Sequence, residues 1–136
     1  MACPFFYPVE RLTGVEWSIP PRTPLGDAYS GECRAGSEPF QPEETRLRET
    51  CNFGYGRGHC ERFSPSSPSD AVRFHIAADS GDSIRIQYVR EKDCWPQETG
   101  VLDCSAGTRT LAAEMDDKII ERQALAFLES YLRRRG

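Results

Sequence analysis

The stretch "AVRFHIAADSGDSIRIQYV", Ala71–Val89, decides the fold. Val72, Phe74 and Ile76 alternate with Arg73 and His75, and Ile84, Ile86 and Tyr88 alternate with Arg85 and Gln87. Period-two alternation gives a strand one apolar and one polar face. The connector "ADSGD" carries turn residues, so the two runs read as an antiparallel β-hairpin with one wet face. A third, shorter strand is expected around Val101–Cys104, entered through a loop, "WPQETGVLD".

Downstream the period changes. Ile119, Ile120, Gln123, Ala124, Phe127, Leu128 and Tyr131 form a helical stripe with one polar interruption. Asp116 or Asp117 can cap its start, and Arg133–Arg135 suit the negative end of its dipole. An amphipathic helix of this kind covers the apolar face of the sheet. The fold class expected is α+β.

Upstream the texture differs. Nine of the ten prolines and nine of the fourteen aromatic residues precede Asp70. Stretches such as "SIPPRTPLG" show neither period, so residues 1–63 read as an irregular, cysteine-containing head. One short helix is expected from Pro42 to about Cys51. Proline suits its first turn, Glu43 and Glu44 suit its positive end, and Gly54 offers a stop. "SPSSPSD", residues 64–70, reads as a linker or long turn before the hairpin-and-helix half, 71–136. At 136 residues the whole is one domain's worth, and the head is too small to stand without a staple.

Net charge is −4, and residues 1–69 and 70–136 each carry −2. Neither half offers the concentrated positive surface that nucleic-acid binding uses, so that class of partner is not expected. No apolar run approaches the roughly 18 residues of a membrane helix. The start, "MACPFFYPVERL", lacks a basic region and is broken by Pro4 and Pro8, unlike a secretory signal. A cytoplasmic location is the expectation, and there cysteine patterns point to metal or catalysis before disulfides.

Six cysteines fall at positions 3, 33, 51, 60, 94 and 104. Four lie in the head, where ordering the backbone costs roughly 1–2 kcal/mol per residue. A structural metal can return on the order of 10 kcal/mol. Cys3, Cys33, Cys51 and Cys60 are therefore the candidate metal and cofactor ligands. The paired knuckles usual for zinc are absent, and Cys3 precedes a proline, as cysteines do in some cluster motifs. Aromatic residues nearby (Phe5, Phe6, Tyr7, Phe53, Tyr55, Phe63) could exclude water. The preferred cofactor is a [4Fe–4S] cluster, with zinc the alternative. Disulfides among the four, or unliganded thiols packed as small core residues, are the competing readings.

Within "CNFGYGRGHC", Cys51–Cys60, Arg57 and His59 are candidates to support the site from beside its ligands. His59 could also lower a neighbouring thiol pKa, which leaves a thiol enzyme as a weaker reading. The glycines there do not follow a strand and open a helix, so the stretch is no dinucleotide fingerprint. His75 and the pair Cys94 and Cys104 read as an ordinary strand residue and two ordinary thiols. The alternative to a metal protein is a cofactor-free interaction module, docking a protein through the hairpin's exposed face or the Arg133–Arg135 end.

Overall fold

The computed structural model describes residues 2–13, 23–36, 38–43, 46, 47, 51 and 67–135. Two antiparallel sheets and a C-terminal helix make an α+β architecture. The larger sheet has the order β3-β4-β5-β6, with β3 Ala71–Asp79, β4 Ser83–Lys92, β5 Trp95–Ser105 and β6 Thr110–Leu111. The smaller pairs β1, Phe6–Arg11, with β2, Tyr29–Cys33. The helix α1 spans Lys118–Arg135.

The hairpin forms as its alternation requires. Phe74 lies opposite Tyr88 and Ile76 opposite Ile86, so the apolar positions of both strands share one face. Ile84 and Ile86 are fully buried, while Arg73, His75 and Arg85 are exposed. The turn is closed by Ser80, whose backbone N–H donates to the Ser83 carbonyl at 3.0 Å, and by Gly81 at a φ of 91°.

The third strand is longer than its sequence suggests. β5 runs 11 residues, and "WPQETGVLD", expected as a loop entering a strand, is strand throughout. A two-residue turn joins it to β4. Asp93 and Cys94 both adopt positive φ, 50° and 69°, the conformation a tight hairpin turn needs.

The head is also more regular than expected. Phe6 pairs with Cys33 and Pro8 with Gly31, and a bulge at Val9 shifts the register. Pro8 and Gly31 hide the strands from a pattern search because neither residue favours a ladder. Leu47 donates its N–H to the Glu43 carbonyl at 3.0 Å, one turn of the expected head helix. Residues 44, 45 and 48–50 of that helix, the glycine-rich loop after Cys51 and residues 64–66 of the expected linker lie outside the described residues.

Helix α1 joins the two sheets. Asp117 caps it, accepting from the N–H groups of Ile119 and Ile120 at 3.0 and 3.1 Å. Leu128 and Leu132 pack with Ile84, Ile86 and Cys104 of the large sheet. Ala126 belongs instead to a cluster with Phe6, Leu25 and Tyr29 of the head. Because the helix is covered from two sides, its buried set is Ile120, Gln123, Ala124, Ala126, Leu128, Ser130 and Leu132, wider than a single stripe. Each large aliphatic chain buried here contributes about 1.5–3 kcal/mol. No helix among the described residues is long and apolar enough to cross a membrane.

Candidate functional site

The head cysteines are the groups with the most chemistry, and the structure brings two of them together. Ala2 bridges Val72 of β3, which fixes the start of the chain on the large sheet. The chain then turns through Cys3–Phe6, with the Phe6 N–H donating to the Cys3 carbonyl at 3.0 Å and Pro4 in the second position, where its fixed φ suits a turn. The Cys3 N–H donates to the Cys51 carbonyl at 2.9 Å. Cys51 is buried in the cluster that contains Leu25, Tyr29 and Leu47, and Cys3 packs against the same cluster. Two residues far apart in sequence therefore meet at one apolar wall.

Gln123 holds this turn to the helix. Its Nε2 donates to the carbonyls of Cys3, at 2.8 Å, and Phe6, at 2.7 Å. The side chain is wholly buried, and its Oε1 has no hydrogen-bond partner among the described residues. The polar interruption in the helical stripe is thus the contact that positions Cys3. Its only signal in the sequence was a glutamine at a core position.

Cys33 sits at the end of β2, buried and opposite Phe6. Its backbone is engaged on its other side by Phe40, through N–H···O bonds of 2.6 and 3.0 Å in the two directions. Cys60, Arg57 and His59 lie outside the described residues. Among the described residues, no three Cys, His, Asp or Glu side chains form a group able to hold a metal.

The tail thiols do not meet. Cys94 is exposed in the β4–β5 turn, whereas Cys104 is buried at the far end of β5, a separation of about 30 Å at the usual strand rise. Burial pushes the Cys104 thiol up to about 11, with the neighbouring Asp103 carboxylate adding to the effect. His75 is exposed on the polar face of β3, opposite Gln87.

A second kind of surface lies on β5. Strand β6 pairs with Cys104 and Ser105 only, so among the described residues no strand pairs with the outer side of Trp95–Leu102. Trp95 is 73% exposed and Val101 53%. The arginines at the end of α1, by contrast, serve the fold. Arg133 pairs with Asp27, Arg134 bonds the Gly26 carbonyl, and Arg135 binds Asp79 at 2.9 Å. Other arginines are similarly engaged, Arg85 with Asp103 and Arg90 with Glu98 and Asp117.

Searches of family models, curated proteins and solved structures return no match to this chain.

Proposed function

We propose that the head is a thiolate metal centre built on Cys3, Cys33, Cys51 and Cys60, with a structural, redox or sensory role. The observation that carries this reading is the hydrogen-bonded meeting of Cys3 and Cys51 against one apolar cluster. Soft sulfur donors suit an iron–sulfur cluster or zinc. Phe6, fully buried beside Cys3, and the half-buried Phe5 and Tyr7 favour the cluster, since water exclusion extends its lifetime and helps set its potential. Completing the site calls on Cys33 and Cys60. Arg57 and His59 would then lie within a few residues of a ligand. Anaerobic purification followed by metal analysis and a visible spectrum tests the proposal. Stoichiometric iron with a broad visible absorbance supports the cluster. Stoichiometric zinc supports the alternative metal, and a colourless protein with neither sinks both.

The second reading is a cofactor-free interaction module on the hairpin's open face and the β5 edge, favoured by the exposed Trp95. Exposed strand edges and large apolar side chains recur where partners dock. Replacing all four head cysteines by serine separates the readings. Unchanged folding and thermal stability would favour the interaction module.

A further inference from the structure

The Cys3 N–H···O=C Cys51 bond fixes more than a backbone contact. This single backbone hydrogen bond seats the two residues side by side. A disulfide closes without backbone movement when its two Cα atoms lie roughly 4.4–6.8 Å apart. Both side chains turn toward the same cluster, and Cys3 is held from two further directions by Gln123 Nε2 and the Phe6 N–H. Such pinning raises the effective concentration of one thiol at the other.

We infer that Cys3 and Cys51 form an oxidation site, closing a disulfide when the protein meets a low-molecular-weight disulfide such as oxidised glutathione. One thiolate attacks the small disulfide, forming a protein–glutathione mixed disulfide and releasing one glutathione. The second thiolate attacks that mixed bond, forming the Cys3–Cys51 S–S bond and releasing the second glutathione. Two protein thiols are oxidised, one small disulfide is reduced to two thiols, and the protons pass through solvent to the glutathione thiolates. Among the other described cysteines, Cys33 pairs in register with Phe6 and Phe40, Cys94 lies in the distant turn, and Cys104 is buried in the cluster beneath α1. This inference shares two thiols with the proposed metal centre but needs no metal.

The test uses the full chain, before and after chelation, incubated with oxidised glutathione and mapped without reduction. Trypsin places Cys3 in residues 1–11, Cys51 in 49–57 and Cys60 in 58–62. The expected product joins 1–11 to 49–57 with the loss of two hydrogens. Closing so long a loop should raise Tm by on the order of 10 °C. Cys3→Ser and Cys51→Ser should each abolish that shift, and Cys104→Ser should keep it. A Cys3–Cys60 or Cys51–Cys60 link in the wild-type map, or both thiols still open to alkylation after chelation and oxidation, overturns the inference. Metal content of the same preparation judges the metal reading separately. A metal-free protein that forms this link keeps the inference and removes that reading.

Discussion

Single residues carry much of what distinguishes this chain. Cys94 and Cys104 are the same side chain in opposite circumstances. One stands in an exposed turn, and the other lies under the helix with its thiol pushed up to about 11. The thiolate is the reactive species, so burial and the raised value act together against Cys104. In a pulse-alkylation experiment near neutral pH, Cys94 should label early and Cys104 only on unfolding. Rapid labelling of Cys104 in the native protein would contradict its placement. Gln123 shows how much a single position can conceal. On a helical wheel it interrupts an apolar stripe, whereas in the fold its two donors bind the head's turn. That role depends on carbonyls more than a hundred residues away in sequence, which no local period encodes.

Among the elements, β5 is the most instructive. Its polar and turn-forming residues, Pro96 and Gly100 among them, defeat a pattern search. An edge strand needs a partner on one side only, so it tolerates a proline whose missing N–H costs no bond on the open side. Gly100 is covered by the Tyr88 ring from β4, and Tyr88 Oη donates onward to Glu98 at 3.2 Å. A methyl at position 100 would fall inside the van der Waals radius of that ring. Gly100→Ala should therefore displace Tyr88 and cost about 1–3 kcal/mol, read by urea unfolding. A stability equal to wild type would show that Tyr88 does not need the glycine. The β3–β4 hairpin and α1 were legible because their apolar positions keep strict periods. β1 and β2 were not, because Pro8 and Gly31 sit where a ladder would favour branched residues.

At the scale of the whole molecule, α1 ties the head to the large sheet, so neither has a complete core alone. Tyr29 of β2 donates its hydroxyl to the Ala126 carbonyl at 2.9 Å and shares a 2.7 Å hydrogen bond with Ser130. Gly26, at a φ of 86°, lets the backbone pass where a Cβ would come within 2.6 Å of the Ser130 Cβ. At the helix's other flank, Asp79 accepts from Tyr131 at 2.6 Å, from the Gly81 N–H at 2.9 Å and from Arg135 at 2.9 Å. Those bonds, the Tyr131 hydroxyl first, hold its carboxyl below the ordinary 3.8. A depressed folded value adds stability that is fully present above the unfolded pKa and lost as pH falls through the folded one. As pH falls below about 4, stability should therefore drop less in Asp79→Asn than in wild type. An identical slope would mean that Asp79 is not linked to folding.

The same scale holds the central claim, that thiolate ligation helps to order the head. Two of the proposed four ligands, Cys3 and Cys51, meet in the described structure through a backbone hydrogen bond, and their meeting was not legible because it joins residues far apart in sequence, which no local period encodes. Thermal unfolding of the anaerobically purified protein, before and after removal of its metal by a chelator, tests the claim most directly. A structural site can contribute on the order of 10 kcal/mol to folding. The expected result is a large fall in Tm on chelation, restored when the metal is returned. An identical Tm in loaded and stripped protein would contradict it.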